Sequence, residues 1–175
     1  MNKKSPKFII GLVIVGILVL IAIISLFYTP YDPEAMNIRE KFQAPNLSHI
    51  MGTDNFGRDI FSRVMVGLRD TIFISGATIA IGFVIGLLVG SFTGYFGGFL
   101  DEALMRINDT LSSIPSVLLA IVMIGAFGSG TATLIISLGI VFIPSFARMI
   151  RSEFIKERTS EYVMCAKLSG AGSLR

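Results

Sequence analysis

Four stretches of the 175-residue chain carry no charge, and charged residues gather between them. The first, residues 8–28, follows Lys3, Lys4 and Lys7. About 20 apolar residues at ~1.5 Å rise cross a hydrocarbon core of about 30 Å. A signal peptide needs an apolar core of only about 7–15 residues and then a small-residue cleavage site. This run is longer and ends in Phe27, Tyr28, Thr29 and Pro30, so it reads as an uncleaved anchor. The second stretch, residues 71–96, lies between Arg69-Asp70 and Gly97-Gly98. The third, residues 110–127, opens on Thr110, Ser112, Ser113, Pro115 and Ser116. Backbone facing lipid must be satisfied internally, so this polar half is expected to face protein or water. Ser112, Ser113 and Pro115 are therefore candidate pathway-lining residues. The fourth stretch is uncharged from about Ala132 to Ala147, its helix is expected to run on to about residue 150, and Pro144 is expected to kink it. The Gly128-Ser129-Gly130 turn suits only an antiparallel helical hairpin. The expected fold is all-α: a polytopic helical membrane protein with four transmembrane helices.

Composition agrees and narrows the function classes. Apolar residues make up 53% of the chain and charged residues 15%, against about 25% charged in soluble domains. A soluble domain this small has too little interior to hide such apolar content, and a disordered chain would be poor in it. One Cys excludes an internal disulfide. A net charge of +3 without a basic cluster argues against nucleic acid. Lys and Arg near the span ends set orientation. The tail, residues 1–7, holds three Lys, and the segment after the fourth span holds Arg148, Arg151, Lys156, Arg158, Lys167 and Arg175. Four spans put both segments on the cytoplasmic side and residues 29–70 outside.

Small residues mark one face of the second span. Gly82, Gly86, Gly90 and Gly94 recur every four residues, with Thr78 one step earlier. At 3.6 residues per turn they form a slowly drifting stripe that admits another helix backbone to backbone. The bland reading is packing against span three or four. The functional one is contact with a second membrane subunit or a sliding surface. Between spans two and three, Leu100, Ala103, Leu104 and Ile107 share a helical face, away from Asp101, Glu102, Arg106 and Asp109. This predicts an amphipathic lead-in helix at the cytoplasmic surface, with Glu102 and Arg106 spaced to pair.

The external segment contains Gly52, Thr53, Asp54, Asn55, Phe56, Gly57, Arg58 and Asp59, followed by Arg63. Its acidic residues do not match a calcium-loop spacing. His49 is the only His, too few for a metal site, and is expected on the loop surface. The apolar residues from Ile60 to Leu68 are dense enough for a helix lying in the interface and feeding span two. The chain contains no phosphate-binding loop, GxSxG, HExxH or CxxC. No enzymatic activity, cofactor or metal is expected. The central parts of the spans lack ionisable groups, the usual mark of ion-coupled carriers.

The string MGTDNFGRDIFSRVMVGLRDT at residues 51–71 resembles the loop before the second helix in inner-membrane permeases of the dipeptide, oligopeptide and nickel ABC importers. It is most similar to the second permease of the pair. GYFGGFLDEALMRINDTLSSIPSVLLAI, residues 94–121, is similar to the same family's second-to-third helix stretch. The family shares a cytoplasmic loop of pattern Glu-Ala-Ala, three residues, then Gly, whose helix docks in a cleft of the partner ATPase. Here the corresponding string is Met164-Cys165-Ala166-Lys167-Leu168-Ser169-Gly170. Ala166 and Gly170 match, whereas Met164 and Cys165 replace the Glu and the first Ala. Glu161 is a candidate substitute for the acidic contact. Independently, Ser160 can cap this helix, Glu161 suits its first turn, and Gly170 or Gly172 can end it. Tyr162, Cys165, Ala166 and Ser169 share a face.

The resemblance implies a permease subunit of an ATP-driven importer for peptides or nickel in the cell membrane. Implied partners are a second permease, two ATP-binding subunits and an external substrate-binding protein, with lipid around the spans. The docking residues would be Glu161, Tyr162, Cys165, Ala166 and Gly170. The family pattern continues past Arg175 to about six helices, so the chain is expected to be the front part of a longer protein. The alternative is a non-transporting membrane scaffold or degenerate permease fragment. A self-contained carrier or channel is disfavoured by the uncharged spans and the lack of a repeated second half.

Overall fold

The computed structural model describes residues 6–170. Lys3 and Lys4 of the expected tail, and Gly172 and Arg175, lie outside the described residues. The helices are α1 (Pro6–Ile24), α2 (Ile60–Phe96), α3 (Gly98–Ser113), α4 (Ser116–Phe127), α5 (Thr131–Arg158) and α6 (Glu161–Leu168). A single 3-10 turn, Ile38–Glu40, lies between α1 and α2. The chain divides into two compact units, Met1–Phe73 and Ile74–Arg175. Among the described residues, α1, α2 and α5 are each long and apolar enough to cross a membrane.

In the first unit, α1 is apolar on every side because it has no polar face to turn toward water. Its 19 residues give about 28 Å of helix, one hydrocarbon thickness. Helix α2 starts at Ile60, eleven residues before the expected span. The helix expected at residues 60–68 is present and runs without a break into the expected span as the first part of α2. Nothing between Ile60 and Thr71 breaks a helix: Gly67 is isolated, and Pro is absent.

The second unit is organised around α5. The α2 glycines meet it at a constant offset of sixty residues. A Cβ placed on Gly82 would lie 2.8 Å from that of Phe142, on Gly86 2.6 Å from that of Phe146, on Gly90 2.9 Å from that of Ile150 and on Gly94 2.5 Å from that of Phe154. The Cβ atoms of four α5 residues thus lie where α2 has none. The approach also works in reverse, since Gly139 of α5 receives Ile81 of α2. On α5, Ile135, Gly139, Ile143 and Ala147 form the matching buried i,i+4 row. Because the offset is constant in sign, α2 and α5 run parallel over this contact.

The third expected span differs. Residues 110–113 complete α3, and the chain breaks at Ile114-Pro115 before α4 begins. The two helices meet at 88°. The physical reason is Pro115, which disfavours helical backbone at Ile114; Ile114 is extended, with φ −84° and ψ 122°. Helix α4 alone, with 12 residues, is about 18 Å long and too short to cross. Counting the bent α3–α4 pair as one span raises three crossing helices to four.

Helix α3 leaves much of its expected apolar face exposed and packs on protein through its other side. Leu100 and Ile107 are exposed, whereas Asn108 is buried. The stripe toward α5 is polar: Asp101 and Asp109 reach Arg151 and Arg148, and Asn108 bonds to the Pro144 carbonyl. The expected surface helix is thus packed on protein through its polar side, because α5 offers two guanidinium groups and a carbonyl there.

Gly90→Ala would set a Cβ 2.6 Å from the Ala147 carbonyl oxygen, a backbone atom that cannot swing aside. We expect a loss of about 1–3 kcal/mol, read as a lower thermal midpoint in detergent. Gly76→Ala, with nothing within 4 Å, should not lower the midpoint and should raise it slightly, since Ala is the better helix former.

Candidate functional site

The sequence-derived candidates fall into separate places. The external motif belongs to the first unit. The glycine stripe, Ser112, Ser113 and Pro115, and the α6 residues belong to the second.

The external motif is a knot whose polar groups satisfy one another. Gly52 and Gly57 have φ of +75° and +74°, and a Cβ on either would strike a backbone carbonyl, of Gln43 and Asn37 respectively. Thr53 is buried; its hydroxyl accepts the Gln43 N–H at 2.9 Å and donates to the Glu40 carbonyl. Asp54 accepts the N–H groups of Phe56 at 2.8 Å and Arg58 at 3.0 Å. It also pairs with Arg58 at 2.8 Å and Arg63 at 2.6 Å. Desolvation pushes its carboxyl upward, but the two N–H bonds and the Arg58 guanidinium outweigh this and bring the pKa to about 2.

Asp59 starts α2. One of its oxygens accepts the Ser62 N–H at 2.8 Å and the Ser62 hydroxyl at 2.7 Å, an N-cap bond three residues into the helix. The other meets His49 Nδ1 at 2.9 Å. Here too desolvation acts upward and is overcome by the Ser62 and His49 bonds, which leave Asp59 below its ordinary value. His49, expected on the surface, is 6% exposed. It is inside because Asp59 bonds it, Glu40 lies 3.8 Å from its Nε2, and Tyr31 packs on its ring. The Tyr31 N–H donates to Ser62 Oγ at 3.1 Å. The ten-residue separation of His49 and Asp59 gave no periodic signal that the two would meet.

In the second unit, Ser112 and Ser113 are exposed, and their hydroxyls bond back to the Asn108 and Thr110 carbonyls. Pro115 stands at the α3–α4 break. An open groove of about 700 Å³ lies nearby, lined by Asp101, Glu102, Arg106, Asp109, Ser113 and Arg151 among others. Three polar links join α3 to α5 beside it. Arg151 donates from Nε and Nη2 to the two Asp101 oxygens, each at 2.6 Å. Asn108 donates to the Pro144 carbonyl at 3.3 Å, and Arg148 donates to Asp109 at 3.3 Å. The available sequence signal was the spacing of Asp101, Met105, Asn108 and Asp109, which share one helical face.

Helix α6 follows α5 after only Thr159 and Ser160. Ser160 does not use its hydroxyl as the expected cap; the hydroxyl donates to the Glu157 carbonyl at 2.7 Å, and the Ser160 carbonyl accepts the first α6 bond from Met164. Glu161, Tyr162, Met164 and Cys165 are exposed and Ala166 is half-buried. Gly170 has φ +84° and lies just beyond the helix end, where a left-handed residue closes the last turn.

These features define a polytopic helical membrane protein whose second unit is built on α5. The model of the family described as "Binding-protein-dependent transport system inner membrane component" matches residues 82–175, more than half the chain, and the chain belongs to that family. It is a family of membrane permease components of ABC transporters. A second model, "N-terminal TM domain of oligopeptide transport permease C", matches residues 3–45. The chain is 38% identical to a Brucella suis protein named as a peptide transport system permease, over 100% of this chain and 58% of that one. It is 37% identical to the nickel transport system permease protein NikC of Escherichia coli K12, over 95% of this chain and 60% of the relative. It is 34% identical to the dipeptide transport system permease protein DppC of Alkalihalophilus pseudofirmus, over 96% and 55%. The chain thus spans somewhat more than half the length of these relatives.

The Asp54 pairing has a pH consequence. Its folded-state pKa of about 2 is below the ordinary 3.8, so its stabilisation is complete above about pH 4 and is lost as pH falls through about 2. Pepsin should leave residues 29–59 intact at pH 4 and cut them progressively toward pH 2. Asp54→Asn should be cut already at pH 4.

Proposed function

We propose that the chain acts as a permease subunit of an ATP-driven importer for peptides or nickel. The family match over residues 82–175 carries this reading, and the names of relatives support the substrate range. The partners are a second permease, two ATP-binding subunits and an external substrate-binding protein. ATP hydrolysis belongs to the ATP-binding subunits. Helix α6 docks on one of them through Glu161, Tyr162, Cys165, Ala166 and Gly170. The exposure of Tyr162 and Cys165 supports this, since neither is used to pack α6 on its own chain.

The helices also support an orientation in the cell membrane. Parallel α2 and α5 enter from one side, so the α3–α4 pair must return the chain across. With α1 this makes four crossings, and Lys7, Arg148, Arg151, Lys156 and Arg158 then favour a cytoplasmic side for both ends. The external motif and the turn between α4 and α5 lie outside.

Two measurements test these statements. In the complete transporter, Cys165→Trp should leave the amount of permease in the membrane unchanged. It should lower both co-purified ATPase and uptake by about tenfold, as loss of a central interface contact does. Normal ATPase recovery and uptake would exclude docking by α6. In right-side-out vesicles of the permease without its ATPase, a Cys placed at Ser129 should react with an impermeant maleimide. Native Cys165 should react only after permeabilisation, and labelling of Cys165 from outside would reverse the orientation.

A further inference from the structure

Arg151 is where three helices of the second unit converge. Its backbone forms part of the glycine contact: a Cβ on Gly90 would lie 3.1 Å from its nitrogen, and one on Gly94 3.1 Å from its oxygen. Its side chain leaves in another direction and grips both oxygens of Asp101 on α3. Such a two-point guanidinium–carboxylate pair fixes orientation as well as distance. Seven residues later, Arg158 at the end of α5 donates to the Tyr95 carbonyl at the end of α2, at 3.1 Å. Only Thr159 and Ser160 then separate α5 from α6.

The α5 segment between Pro144 and α6 is therefore held on two sides, by backbone contact with α2 and by ion pairs with α3, of which Asp101–Arg151 is short and two-point and Asp109–Arg148 is longer and largely exposed. Pro144 lies inside α5 and removes a backbone hydrogen bond, which makes it the place where that helix can bend. Asn108 holds α3 at the same level through the Pro144 carbonyl. The Glu102–Arg106 pair on α3 is largely solvent-exposed and links α3 only to itself.

We propose that the Asp101–Arg151 pair is the positioning contact through which displacement of α6 reaches α3 and the bent α3–α4 segment. This rests on the reading of α6 as the ATPase-docking helix. A push on α6 moves the last turns of α5. Arg151 carries Asp101 with it, and α3 swings about the level of Pro144 and Asn108. Without the pair, the ATPases still dock and cycle, but their stroke stops at α5.

The test uses the complete transporter in vesicles, with uptake and ATP hydrolysis measured together. Asp101→Asn should lower uptake about tenfold, within the range of ordinary coupling energies. Complex recovery and basal ATP hydrolysis should remain unchanged, so that more ATP is consumed per substrate imported. The double exchange Asp101→Arg with Arg151→Asp should restore uptake and the ATP ratio. Unchanged uptake in Asp101→Asn would overturn the proposal. So would loss of the complex together with uptake, or failure of the double exchange to restore coupling. Cys165→Trp, measured in parallel, separates the two readings. If it has no effect, docking by α6 is wrong; if it blocks ATPase recovery while Asp101→Asn imports normally, only the ion-pair proposal falls.

Discussion

The second unit depends on the absence of side chains along one face of α2. In lipid, apolar side chains gain little by leaving the membrane for another helix, so association relies on close packing and hydrogen bonds. Four glycines at i,i+4 let α2 lie against α5 with backbone atoms almost touching. Phe142, Phe146, Ile150 and Phe154 set their Cβ atoms directly against this face. A contact of this length sets the direction and level of both helices together. The α3–α4 segment must fit the gap that remains, and its break at Pro115 lets it turn within that gap.

The polar links are arranged differently in the two units. In the second, three of them join one helix to another: Asp101 with Arg151, Asp109 with Arg148, and Asn108 with the Pro144 carbonyl. In the first, the charged side chains close a loop on itself and start α2. Asp54 gathers two arginines and two N–H groups, while Asp59 joins the α2 N-terminus to His49. Both arrangements use carboxylates with several donors, which makes them directional. One organises the approach of helices, and the other gives shape to a segment too polar and too short for an apolar core.

Much of this was legible from residue pattern. Uncharged length is enough to locate α1, α2 and α5, because the hydrocarbon thickness sets a physical minimum. The glycine period likewise marks the close-packing face, although periodicity on one helix cannot name its partner. Amphipathicity in α3 marks which face is apolar, but it does not show that the opposite, polar face has a protein partner: Asn108 is buried while Ile107 is exposed. His49 looked like a loop residue because its environment is made by Asp59, Glu40 and Tyr31, which approach only when the segment closes. Pro115 was visible, but an uncharged run does not reveal how sharply the chain turns at a proline.

The sixty-residue offset between α2 and α5 has a consequence for the order in which the protein is made. During synthesis α2 leaves the ribosome long before Phe142 to Phe154 exist. Until α5 arrives, the glycine face has no partner in this unit, and α2 exposes backbone that side chains cover on an ordinary membrane helix. Contacts so distant in sequence form late and slowly. The newly inserted chain therefore passes through a period in which its spans are in place and its central seam is open. Any factor that shields small-residue helix faces in the bilayer would act on this protein in that interval and not after it.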